Sequence, residues 1–196
     1  MPVNQIKPSK RAQAAIASIT ALAFGGYVTL FSGQPPVHDD VALAVKELVG
    51  PWEGRKKVAY LDKLAKPPVW TICDGDTNNV KPGMVETDEG CNRRVVEKME
   101  GVYRPALVKC IAYFDKKPLA WRSMMISLSW NIGTGATCNS TAAKRGREGK
   151  YTESCLAATA FNRAGGQVYI GLVNRREMGD KTRIGEAELC VTGLKS

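Results

Sequence analysis

The chain has 196 residues, is 44% hydrophobic, carries a formal net charge of +9 and contains one histidine. That length holds one ordinary domain plus an appendage, and the composition suits a packed core. The lone histidine, His38, excludes two-histidine zinc sites and leaves no sound basis for a Ser-His-Asp or Cys-His mechanism.

The positive charge fits an anionic polymer or an anionic membrane through long-range attraction. Lysines and arginines are spread along the chain with no aromatic-interleaved basic stripe, so no nucleic-acid partner is expected. Residues 1–11 are polar, with Lys7, Lys10 and Arg11 clustered, and no charge occurs over residues 12–32. That uncharged length crosses a bilayer as one helix. Its Ala, Gly, Ser and Thr content makes insertion only weakly favourable, and the flanking charges, with Asp39-Asp40 after it, predict N-in, C-out. Ala21-Leu22-Ala23 matches a signal-peptide cleavage pattern, so cleavage and permanent anchoring are both open readings. Residues 34–40 read as a linker around Pro35-Pro36, with His38 a solvated linker residue.

Residues 41–49 place apolar side chains at helical spacing, with Asp39 or Asp40 as cap, and Glu53 then falls near that helix's C-terminal end. Residues 56–80 are rich in aromatic and β-branched residues between turn signals and suit a small β-sheet, with Pro67-Pro68 stiffening the loop at 63–70. Thr87-Asp88-Glu89-Gly90 opens a helix running to about Met99 or Val102. Further helices are predicted at 104–114, 118–131, 140–147, 151–163, 168–173 and 182–190. Trp121, Met124, Met125, Leu128 and Trp130 mark one of these as the buried central helix. The fold class is α+β: a mostly helical domain with a small sheet lobe and a site in the cleft between them.

Six cysteines, Cys73, Cys91, Cys110, Cys138, Cys155 and Cys190, lack any C-x-x-C spacing, which fits disulfides in an oxidising compartment. Six allow fifteen full pairings. Sequential pairing, Cys73–Cys91, Cys110–Cys138 and Cys155–Cys190, closes local loops and is the first expectation.

The chemistry concentrates in residues 52–77. Glu53 precedes Gly54, Asp62 follows nine residues later, and Thr71 sits on a β-like run. Two carboxylates and a hydroxyl around one turn are what an inverting glycosidase needs: one acid protonates the leaving oxygen while the other groups activate a water on the opposite sugar face. Asp74 and Asp76 read as solvated or helix-capping turn acids, with no histidine or third acid nearby to build a metal site. No metal or cofactor is expected.

Glu53-Gly54, Tyr60-x-Asp62 and Trp70-Thr71-Ile72-Cys73-x-Gly75-x-Thr77 resemble the active-site segment of phage-type lysozymes, the T4 lysozyme-like endolysins. Ser129-Trp130-Asn131-Ile132-Gly133-Thr134-Gly135 is similar to that family's helix-and-turn, and Gly171-Leu172-Val173-Asn174-Arg175-Arg176-Glu177 to its C-terminal motif. The resemblance implies a lysozyme-like domain over residues 41–196. It implies hydrolysis of the β-1,4 bond between N-acetylmuramic acid and N-acetylglucosamine in peptidoglycan, leading to host lysis. Glu53 is then the general acid, with Asp62 and Thr71 placing the water. Asn131 either binds an N-acetyl group or ends its helix. Arg175-Arg176-Glu177 reads as a salt-bridged helix end.

Some endolysins resembling this chain carry a signal-arrest-release segment, which adds a third reading of residues 1–33. The protein is then a monomer held in the host inner membrane through residues 12–32, freed into the periplasm when a holin or pinholin depolarises the membrane. The alternatives in function are a lytic transglycosylase and a non-catalytic, membrane-tethered wall-binding protein.

Overall fold

The computed structural model describes residues 2–63 and 67–194. Part of the expected Pro67-Pro68 loop, residues 64–66, therefore lies outside the described residues. The chain starts with α1 (Lys10–Leu22), turns through Gly25-Gly26 into β1 (Tyr27–Val28) and pairs it with β2 (Val37–His38). α2 (Asp39–Leu43), a π-helical turn (Ala44–Val49) and α3 (Gly50–Glu53) then run on as one helical stretch. The hairpin of β3 (Lys56–Asp62) and β4 (Val69–Cys73) follows.

The helical part begins with α4 (Asp88–Lys98), which passes through a second π-helical turn (Met99–Tyr103) into α5 (Arg104–Cys110). It continues with α6 (Leu119–Ile132), α7 (Thr134–Cys138), α8 (Thr141–Arg147) and α9 (Tyr151–Ala158). A second small hairpin, β5 (Arg163–Ala164) with β6 (Gln167–Val168), leads into α10 (Ile170–Arg176), and α11 (Glu186–Thr192) closes the fold. The α+β expectation holds, with the sheet content confined to short antiparallel pairs. Thr87 caps α4 as its sequence suggests, its hydroxyl accepting from Gly90 N at 3.0 Å. The helix expected at 151–163 stops at Ala158, because residues 163–168 turn through Gly165-Gly166, both at positive φ, to make β5 and β6.

The core is built around α6, buried from Ala120 to Ser129. A helix buried on all sides must satisfy every polar group it carries. Trp121 Nε1 donates to Ser154 Oγ at 2.7 Å, and Ser127 Oγ donates to Glu186 Oε1 at 2.6 Å. Gly146 of α8 lies against the Trp121 ring so closely that a Cβ would fall 2.0 Å from it, so only glycine fits there. The three disulfides are Cys73–Cys91, Cys110–Cys138 and Cys155–Cys190, the sequential pairing.

The N-terminal segment packs on the domain in this structure. No helix among the described residues is long and apolar enough to cross a membrane. Residues 12–32 instead form most of α1, a turn and β1, and Ala12, Ala15 and Ile19 enter the main core against α2 and α11. The residues just before this segment are tied by buried acids. Val3 N and Asn4 N each donate to Glu177 at 2.7 Å, and Arg11 and Ser9 both hold Glu188. His38 is not a solvated linker residue: it lies in β2, its ring 2.8 Å from Glu100 and packed on Tyr27. Cross-strand pairing with β1 places it there, which no local pattern announces.

Asp40 is the other buried anchor. Its carboxylate has no exposure and accepts from Arg104 Nε at 2.9 Å and from Arg122 Nη1, joining α2 to α5 and α6. Removing one member of a buried ion network strands the others, at a cost of about 3–5 kcal/mol. Asp40→Asn is accordingly expected to lower unfolding stability by roughly that amount. A urea melt of the purified protein with a midpoint equal to wild type would contradict the assignment.

Candidate active site

Glu53 is the last residue of α3, and Gly54 ends the helix in the left-handed region at φ +57°. This turn swings the chain directly into β3, so the acid sits at the junction of helix and sheet. β3 and β4 pair in register with Tyr60 opposite Thr71 and Asp62 opposite Val69. Directly paired residues share a sheet face, and residues two apart along a strand share it too. Tyr60, Asp62 and Thr71 therefore project from one face of the hairpin. Thr71 is buried and its hydroxyl donates to Val69 O at 3.3 Å. Tyr60 links this face to Glu53: burial, with the negative charges of Asp62 and Glu53 close by, holds its phenol above the ordinary value. Both carboxylates thus lie within electrostatic reach of Tyr60, which pairs directly with Thr71.

Arg175 is the partner that sequence reasoning missed. It lies near the end of α10, is buried, and brings Nη1 to 2.7 Å from Glu53 Oε1 as an ion contact without hydrogen-bond alignment. Behind it, Glu186 at the start of α11 is fully buried, 3.6 Å from Arg175 Nε and in contact with Arg176 Nη1. Arg176 also donates to Phe161 O and to the side-chain oxygen of Asn131. Burial pulls the Arg176 guanidinium below its ordinary value, and Glu186 opposes that. Of the Arg-Arg-Glu run read as a salt-bridged helix end, the two arginines are in salt bridges while Glu177 holds Val3 and Asn4, and the first arginine reaches Glu53. The Gly171-Leu172-x-x-Arg175-Arg176-Glu177 run was the signal available.

Asn131 stands in the last turn of α6, before Gly133 at φ +84°, with its side-chain oxygen given to Arg176. Asp74 and Asp76 are corrected: neither is solvated or a helix cap. Asp74 is buried and gripped by Arg55, with Nη2 at 2.8 Å and Nε at 3.2 Å from both oxygens. Asp76 is buried between Arg94 and Lys98, each at 2.8 Å. Sequence could not show this, because the cations come from α4 and from beyond Gly54, 18 to 22 residues away.

The chain that carries this arrangement is similar to known proteins in sequence and in fold. The phage lysozyme family matches residues 50–179, and the chain belongs to that family. Its class is therefore that of a lysozyme-type phage endolysin, an enzyme that degrades peptidoglycan. Among individual proteins, a SAR-endolysin of Pseudomonas phage phiKMV is 33% identical over 129 residues, spanning 63% of this chain and 76% of that protein. The structure of the endolysin from Escherichia coli O157:H7 phage FAHEc1 superposes with a TM-score of 0.59 at 26% identity, over 74% of this chain and 88% of that one. The active form of P1 phage endolysin Lyz shares the fold over 97% of this chain and 98% of its own, with a TM-score of 0.63 at 20% identity.

Asp76 gives a test of the site's electrostatics. Burial alone would raise its carboxyl, but hydrogen bonds from Lys98, the Asn78 backbone and Arg94 outweigh it and lower the value. A carboxyl depressed on folding adds stability above the unfolded value near 4 and loses it as pH falls through the folded value. Wild type is expected to lose stability steadily below about pH 4, and Asp76→Asn to flatten that dependence. Thermal melts at stepped pH that give parallel curves for the two proteins would refute this.

Proposed function

We propose that the protein cleaves the β-1,4 bond between N-acetylmuramic acid and N-acetylglucosamine by single displacement, and that this lyses the host cell. Glu53 is the general acid. Arg175 occupies Oε1, so the proton to be donated sits on Oε2, the oxygen that faces the Gly75 turn. Asp62 and Thr71, on the hairpin face beside Tyr60, orient the water that attacks from the other side of the sugar. The observation that carries the reading is the convergence of Glu53, the Asp62–Thr71 face and Arg175. The presence of both Asp62 and Thr71 favours hydrolysis over transglycosylation, in which the muramic 6-hydroxyl attacks instead and leaves anhydromuramic ends. Asn131, with its side-chain oxygen held by Arg176, presents its amide nitrogen to a substrate N-acetyl oxygen.

Positioned acid–base groups contribute about 10²- to 10⁴-fold. Glu53→Gln keeps the shape and removes the donated proton, so turnover on purified peptidoglycan is expected to fall at least about 10²-fold. The variant should still fold, with a wild-type far-ultraviolet circular dichroism spectrum. A Glu53→Gln protein that clears a wall suspension at near wild-type rate, or products with anhydromuramic ends, would overturn the mechanism.

We further propose that residues 12–32 hold the protein N-in, C-out in the host inner membrane before release into the periplasm by a holin- or pinholin-driven loss of membrane potential. The relatives described as SAR-endolysins support this reading. So does composition: a segment of small residues leaves lipid at little cost, and the same Ala12, Ala15 and Ile19 pack against α2 and α11 once out of it. Fractionation before and after collapse of the membrane potential should move full-length protein from membrane to soluble periplasm. A soluble form beginning at Phe24 would show signal-peptide cleavage instead.

A further inference from the structure

Three features converge on the turn that follows β4. Cys73 is a non-glycine residue at φ +57°, a left-handed conformation that persists in such residues only where the surroundings enforce it. Its sulfur is bonded to Cys91 of α4. Asp74, the next residue, is buried and held by both arms of Arg55. Gly75, the third, stands at φ +93°, and a Cβ built there would lie 3.8 Å from Glu53 Oε2. The turn thus lies against the oxygen from which the proton is donated.

Arg55 is two residues past Glu53, across the left-handed Gly54. Lys56, the next residue, is paired with Cys73. The Arg55–Asp74 ion pair therefore closes a small ring: Glu53-Gly54-Arg55 on one side, Asp74-Gly75 on the other. Arg55 also reaches the start of α4, with Nη1 3.3 Å from Asp88 O and 3.5 Å from Asp88 Oδ1. The disulfide ties the same turn to the same helix from the opposite side of Asp74. Two backbone hydrogen bonds between Ile72 and Asp76, at 2.8 and 2.9 Å, close the base of the turn, and the Arg55–Asp74 pair is what ties its tip to the Glu53-Gly54-Arg55 segment.

We propose that Arg55 and Asp74 are positioning residues that hold the Gly75 turn against Glu53 and so fix the direction in which Oε2 presents its proton. They act through Glu53 and do not touch the scissile bond. The proposal rests on the reading of Glu53 as general acid. A two-toothed grip matters here because it fixes orientation as well as distance, which a lysine at the same place cannot do.

The test is steady-state hydrolysis of solubilised peptidoglycan by the full chain, with wild type and Glu53→Gln as controls. Arg55→Met and Asp74→Asn are each expected to lower kcat tenfold or more, with KM within twofold. The double variant, which strands no buried charge, should fold and lose no more than the worse single variant, because the two act as one unit. Arg55→Lys keeps the charge balance and hence the fold, and should still lose at least threefold in kcat. Wild-type kcat in the double variant or in Arg55→Lys, or a loss confined to KM, would overturn the proposal. If wild type is active and Glu53→Gln is dead while these variants keep their turnover, only this inference fails. If wild type itself is inert, the functional reading fails instead.

Discussion

Glu186 has no access to solvent, and what compensates its charge comes from two other elements. Arg175 and Arg176 approach it from α10, and Ser127 donates to it from α6. An unpaired buried carboxylate is too costly to keep, so the packing of α6, α10 and α11 must bring these groups together. Arg175 reaches on from Glu186 to Glu53, bringing Nη1 to 2.7 Å. The carboxylate in the site is set by a carboxylate that never sees solvent. α3, the hairpin and the central helix are all referred to this one cluster.

The same device recurs through the molecule. The chain is strongly basic, yet Asp40, Asp74, Asp76, Glu177, Glu186 and Glu188 are all buried. Each meets a cation, or for Glu177 backbone N–H groups, from a different element. Buried ion pairs add little net stability compared with apolar packing. What they do here is reject alternative arrangements, since any shift of register strands several charges at once. Apolar contacts from Trp121, Met124, Met125 and Leu128 supply the driving force, being non-directional and proportional to area. The acids then choose one packing among those the apolar residues would tolerate.

The N-terminal segment shows how one composition serves two requirements. Alanines and other small residues make residues 12–32 a weak lipid-seeking helix. The same small side chains let α1 lie close on α2 and α11, with Ala12 and Ile19 fully buried. Gly25 and Gly26 allow the tight turn into β1, and the donors of residues 3–11 close over Glu177 and Glu188. Glu177 directly follows Arg176 and Glu188 lies two residues past Glu186, so residues 3–11 close over the elements that carry the arginine–glutamate cluster.

By itself the sequence determined what depends on local pattern. The helical period of residues 41–49 and the Thr87 cap set elements whose signals lie within a few residues of one another. The apolar run through Trp121 and Leu128 marked the buried helix for the same reason. Glu53, Asp62 and Thr71 stood out as the candidate site because they fall within 19 residues and around one hairpin, and the cysteine pairing was legible because it is local. The tertiary structure alone decided the partners of charge. Arg175 reaches Glu53 across 122 residues of chain, Arg122 reaches Asp40 across 82, and Glu177 meets Val3 across 174. No spacing rule reports such contacts, because they exist only after helices have packed. That is also why Asp74 and Asp76 looked like surface acids and His38 like a linker residue. A charged side chain carries no local mark of burial, and only the cation that folding brings beside it makes burial affordable.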